Sequence, residues 1–303
     1  NDTVVISGAT TLTTTYSRET ATTYSASGGT TSASGGVGSY TFSITSITRS
    51  TTANGDTSTI SINASTGVLT VLGTTQHDTY TIIIRATDSV SAYRQTTLTL
   101  RVNESVTLSG GQASLTTTEG KSYSSSAFSA SNGTGSYTYR IALASDETTT
   151  IAGITISSAG VVTISDTYVV LGTGVDTYSM VVIATDGAGD STTSAITITI
   201  NDTVVIQGGS NIVTTYSRRD TSTAFTTLYG TPSMTWRIDS IVKSPNTSVT
   251  ETSTNIRIGS STGLVTTGAT TPVGTYTVTI RVTDSRGDFE TTTMQVRVND
   301  SIT

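Results

Sequence analysis

The sequence predicts an all-β chain, three antiparallel β-sandwiches in tandem, and three observations carry that prediction. One phrase recurs: Tyr80 to Asp88 reads YTIIIRATD, Tyr178 to Asp186 reads YSMVVIATD, and Tyr276 to Asp284 reads YTVTIRVTD. Each phrase is followed at the same spacing by an asparagine, Asn103, Asn201 or Asn299, and the chain itself begins Asn1-Asp2-Thr3. The period is roughly 100 residues, too long for a solenoid unit and suited to separately folding domains. Finally, apolar side chains alternate with Thr, Ser and Arg, while no stretch keeps a helical period. The predicted modules are residues 1–102, 103–200 and 201–298, with residues 299–303 reading as the start of a fourth. No initiator methionine or signal segment is present, so the sequence reads as a window on a longer polypeptide.

Within each copy the elements follow in order. A glycine-rich turn leads into an aromatic strand at Gly35 to Ile44, Asn132 to Ile141 and Gly230 to Ile238. Phe42, Tyr139 and Trp236 share one inward position there, the place of the large core aromatic in many sandwiches. Next comes a tight hairpin at Ser65-Thr66-Gly67, Ser158-Ala159-Gly160 and Ser261-Thr262-Gly263. The recurring phrase supplies the penultimate strand, with Tyr80, Ile82, Ile84 and Ala86 predicted inward, as are their counterparts from Tyr178 and Tyr276. The closing strands turn Leu98, Leu100 and Val102 inward, matched by Ile196, Ile198, Ile200 and by Met294, Val296, Val298. Short strands with frequent turns and one buried face point to a Greek-key sandwich.

Composition narrows the function. Lys and Arg total 15 against 21 Asp and Glu, for a net charge of -6, so the chain has no basic footprint for nucleic acid or an anionic membrane. Charged residues make up only 12%, and threonine dominates the outward positions, such as Thr97, Thr99, Thr197, Thr199, Thr277 and Thr279. Faces this neutral lack the charges that keep strands from pairing with neighbours, and contacts between copies of the chain, lateral or head to tail, are expected. Cysteine is absent and lysine occurs only at Lys121 and Lys243, which argues against disulfide or isopeptide staples. His77 is the sole histidine and has no counterpart in the other copies, so no catalytic or zinc constellation is legible and the chain is read as no enzyme.

The order of glycine-rich turn, YTY-like strand, Ser-Thr-Gly hairpin and GTYTVTIRVTDSRGD resembles the Ig-like and cadherin-like repeats of large bacterial and archaeal surface proteins. The resemblance covers all three copies and implies tandem Ig-like, cadherin-like Greek-key β-sandwiches acting as spacers, stalks or adhesive arms outside the cell. It also implies calcium where domains meet. The matching positions are Asp88, Asp186 and Asp284 of the last hairpin turns and Asn103, Glu104, Asn201 and Asp202 of the linkers. Glu19 and Glu119 would complete each site from the preceding domain. The chain departs from that pattern, because its earlier turns hold Gly, Ser and Asn in place of Asp-x-Asp.

Two further signals remain. Asn63, Asn103, Asn132, Asn201 and Asn246 open Asn-x-Ser/Thr sequons and are candidates for glycans. Arg286-Gly287-Asp288 occupies the last hairpin turn of the third copy, where an integrin-type tripeptide or an ordinary turn would fit. The leading reading is a structural protein of an extracellular filament or surface stalk. An adhesin arm for a glycan or host protein, and a decoration protein of a phage or virus particle, are the alternatives.

Overall fold

The computed structural model describes residues 4–23, 25–28, 38–51, 58–172, 174–245 and 247–301. It is all-β, built as three successive Ig-like sandwiches. The second copy shows the plan. One sheet orders Ser114–Thr118, Ser191–Asn201, Val175–Thr185 and Thr138–Leu143, and the facing sheet orders Tyr123–Ser124, Val162–Ile164 and Ile154–Ile156. The opening strand begins in the second layer, where Thr107–Gly110 pairs with Phe128–Ser131, and then crosses to the first. There Ser114–Thr118 runs parallel to the closing strand, ending with Thr118 beside Asn201. The other copies repeat this parallel pair, with Thr15 beside Asn103 and Thr215 beside Asn299.

Period-two alternation produces the layers. Val278, Ile280 and Val282 are fully buried, while Thr277, Thr279 and Arg281 lie on the outer face. Three cores result, and each draws its side chains from one copy alone. In the first and third copies a tyrosine locks the entry to the penultimate strand. The hydroxyl of Tyr80 donates to the carbonyl of Gln76 at 2.8 Å, and that of Tyr276 to Pro272 at 2.7 Å. Both rings are buried, so each hydroxyl needs that partner.

The second copy departs from the sequence-based expectation. Tyr178 is only half-buried, because Tyr168 and Val170 of the preceding loop fill the core at that end. Its hydroxyl meets that of Tyr168 at 2.5 Å, with the rings edge to face. Tyr139 is also half-buried, its hydroxyl accepting from the Ala130 amide at 2.9 Å, whereas Phe42 and Trp236 are buried as expected. The outer face differs as well. Arg85 lies over Tyr93 and Arg281 over Phe289, each about 4 Å from the ring centroid, but the second copy places Ile183 and Ser191 there. A single helical turn, Glu251–Thr254, interrupts the third copy; Thr250 and Ser253 cap one another at its start and Asn255 ends it in the left-handed region.

Trp236 is the only tryptophan, so its fluorescence reports on the third copy. Tyr276→Phe should lower the unfolding free energy seen by that signal by about 1 kcal/mol, the contribution of one hydrogen bond to the Pro272 carbonyl. Trp236→Ala, followed by circular dichroism, should cost about 3–5 kcal/mol.

Candidate functional site: the joints between domains

Residues cluster with unusual polarity where one sandwich meets the next. Asp186 opens the turn between the last two strands of the second copy and is buried, 6% exposed. Its Oδ1 accepts the amides of Ala188 and Asp190 at 2.9 and 2.8 Å, which shapes the turn. Its Oδ2 accepts the Thr134 amide at 2.8 Å and, across the joint, the hydroxyl of Thr15 of the first copy at 2.5 Å. Asp190, four residues on, accepts the hydroxyl of Ser17 at 2.6 Å with one oxygen and the Val106 amide at 2.9 Å with the other. One carboxylate thus ties the preceding domain to the first strand of the next.

The second joint repeats the device. Asp284 takes the amides of Arg286 and Asp288 on Oδ1, and the Thr231 amide and the Thr118 hydroxyl on Oδ2. Thr118 and Thr231 also share a hydroxyl contact at 2.7 Å. Asp288 accepts the Val204 amide at 2.9 Å and lies 3.7 Å from Lys121 of the preceding copy. Arg286 donates to the carbonyl of Thr116 at 2.8 Å and lies 3.5 Å over the ring of Tyr123. The Arg286-Gly287-Asp288 tripeptide is therefore spent on the joint.

The linkers have little slack. The carbonyl of Asn103 accepts the Tyr16 amide at 2.8 Å, and that of Glu104 accepts the Gly133 amide at 2.9 Å. In the second linker Asn201 accepts from Glu119 and Asp202 from Gly230, at 2.8 and 2.9 Å. Each pair holds one linker residue to the domain behind and the next to the domain ahead. Close approach demands glycine at these turns: a Cβ on Gly133, at φ +62°, would fall 2.5 Å from Asp186 Oδ2. Burial alone would push the Asp186 carboxyl up. The hydroxyl of Thr15 and the amides of Thr134, Asp190 and Ala188 outweigh it and hold the group below its ordinary value.

These sites do not fit calcium. A calcium ion wants oxygen lone pairs, but those of Asp186 and Asp284 already face four N–H and O–H donors each. Asp88 forms the same turn in the first copy, accepting the amides of Val90 and Ala92, at the end opposite the first joint. Among the described residues no hydrogen bond or ion pair brings the side chain of Glu19 or Glu119 to these aspartates, and no three acidic or histidine side chains gather as a metal site. Asn103 and Asn201 sit at the joints, but their side-chain amides donate to the carbonyls of Thr14 and Thr117, at 3.3 Å each. The glycan reading of Asn201 is corrected accordingly, since the residue is buried, 8% exposed. Asn63 and Asn132 are exposed, and Asn246 lies outside the described residues.

No protein-family model matches the chain, and no curated protein sequence is significantly similar to it. Among solved structures it is similar to the I-band fragment I67–I69 of titin, at 12% identity and TM-score 0.45 over all of this chain and 99% of that one. It is also similar to the three N-terminal domains of the bacteriophage RB49 Highly Immunogenic Outer Capsid protein, at 10% identity and TM-score 0.44 over all of this chain and 99% of that one. Extracellular domains 3–5 of Drosophila OTK match at 12% identity and TM-score 0.35, covering 99% of this chain and 97% of that one. Such likeness describes architecture and says nothing of activity.

The structure sets Thr15 and Thr118, rather than Glu19 and Glu119, against Asp186 and Asp284. Thr15 and Thr118 do not stand out among so many threonines, although both end a Thr-Thr pair at the same place in the repeat. Asp190 and Asp288 were legible as second aspartates in DGAGD and DSRGD, and Ala92 breaks that pattern in the first copy. His77 is exposed and lies 3.9 Å from Glu104, with no catalytic neighbour in that contact.

Chelation of divalent cations should leave the melting temperature unchanged by calorimetry; a fall of several degrees would restore a metal to the joints. Acid should act instead. The carboxyl of Asp186 is depressed in the folded chain, so its stabilisation is present above the ordinary carboxylate pKa and fades as pH falls through the folded value. Thr15→Val should therefore flatten the acid limb of the second copy's stability curve and leave neutral-pH folding intact.

Proposed function

We propose that the chain is a structural, load-transmitting segment of an extracellular stalk or filament. Direct hydrogen bonds donated to buried aspartates across each joint set the angle between its domains. The observation that carries this reading is the repetition of one joint: Asp186 with Thr15, and Asp284 with Thr118, each beside linker carbonyls held from both sides. A chain whose task was to present freely swivelling domains would have no use for such bonds. The shortage of charge and the Thr-rich outer faces support contacts with copies of the chain, and exposed Asn63 and Asn132 could carry glycans on the remaining surface. No helix among the described residues is long and apolar enough to cross a membrane.

One observation favours the adhesin reading as a second. In the loop before the penultimate strand of the second copy, Val169 and Leu171 are 63% and 81% exposed. They lie by a cleft of about 400 Å³ lined by Tyr168, Tyr178 and Ile151. An exposed apolar patch beside a cleft would suit a partner's apolar group.

Immunogold electron microscopy on the source organism separates the readings. A stalk or filament segment should label regular fibres or arms outside the cell. Label confined to the cell interior would overturn both readings, and label only at a contact zone, lost in Leu171→Asp, would favour the adhesin.

A further inference from the structure

The exit end of the third copy repeats the exit end of the first. Thr214-Thr215-Tyr216-Ser217-Arg218 matches Thr14-Thr15-Tyr16-Ser17-Arg18 residue for residue. In both, the strand pairs in parallel with the closing strand up to the asparagine, and the tyrosine amide donates to that asparagine's carbonyl, at 2.9 and 2.8 Å. The side chains differ in what they meet. Thr15 is fully buried on Asp186, and Ser17 donates to Asp190. Thr215 is only half-buried, Ser217 and Arg218 are exposed, and among the described residues neither hydroxyl has a partner.

We infer that this end of the third copy is a socket for a further sandwich whose last hairpin turn is of the kind shared by the second and third copies, represented below by the second. The occupant's last hairpin turn carries two aspartates four positions apart, with glycine before the second. The first aspartate would accept from Thr215 and the second from Ser217, as Asp186 and Asp190 accept from Thr15 and Ser17. The glycine before the second aspartate suits the left-handed backbone there, φ +85° at Gly189, which faces the guanidinium of Arg18, whose counterpart is Arg218. The turn of the first copy fails, because Ala92 stands where the second copy has Asp190 and leaves Ser217 without a carboxylate. The socket thus selects by module type, and chains would not join through the first copy's turn. This rests on the structural reading above.

The chain has no cysteine, so spin labels can be placed at will. The full chain would be extended after Asn299 by a second copy of residues 104–201. Labels at exposed Thr293 and at the added copy's Ala195 would be read by pulsed electron resonance. The Thr97–Ala195 and Ala195–Thr293 pairs across the two existing joints serve as references. The added joint should reproduce the narrow distance peak of the Thr97–Ala195 pair. That peak should be lost with Thr215→Val and Ser217→Ala, or with Gly189→Ser and Asp190→Ala in the added copy. A broad distribution in the unaltered extension, or a narrow one that survives both sets of substitutions, overturns the inference. Broad reference pairs would instead strike the structural reading, whereas narrow references beside a broad added joint sink this inference alone.

Discussion

A buried carboxylate that reaches across a domain boundary for a hydroxyl is the constraint on which the rest depends. An aspartate removed from water must have its lone pairs satisfied, and breaking one such pair inside a protein is expensive. Asp186 and Asp284 meet this demand with three amides from their own domain and one threonine hydroxyl from the domain before. The fourth bond is available only when the two domains sit at one angle. Local turn geometry is thereby converted into domain orientation. Hydrogen bonds to charged groups contribute roughly 1.5–3 kcal/mol each, enough to hold a joint without a large apolar interface.

Threonine explains why so little charge suffices. Its branched carbon suits the strand that pairs in parallel with the closing strand, and its hydroxyl is a donor that costs little to bury once accepted. The family resembled by this sequence suggested calcium at such boundaries, where a cation would bridge acids from both sides. Here the acids come from one side, and the opposite side supplies Thr15, Ser17, Thr118 and Lys121. A neutral or cationic donor stands on the side from which a second acid would have to come.

Much of the fold was legible, because period-two alternation and repeated turns are local signals. Tyr80, Tyr276, Phe42 and Trp236 lie in the core where the repeat placed them. Tyr178 does not, because the loop carrying Tyr168 belongs to the second copy alone and competes for the same space, and Tyr139 is half-buried with its hydroxyl on the Ala130 amide. No periodicity reveals that competition; it is a packing outcome. At the joints the reverse held. The aspartates stand out in a chain poor in charge, yet their partners are the commonest residue and sit more than 160 positions away. Only the parallel pairing of the opening and closing strands brings the Thr-Thr ends beside the linker asparagines. Sequence spacing within one copy cannot show that contact.

The central claim is that these bonds make neighbouring domains move together. Backbone nitrogen-15 relaxation on the intact chain measures this most directly, because it gives the rotational diffusion of each domain separately. The account predicts one shared, strongly anisotropic diffusion tensor for all three copies at neutral pH. Three separate tensors, each near that of an isolated sandwich, would contradict it.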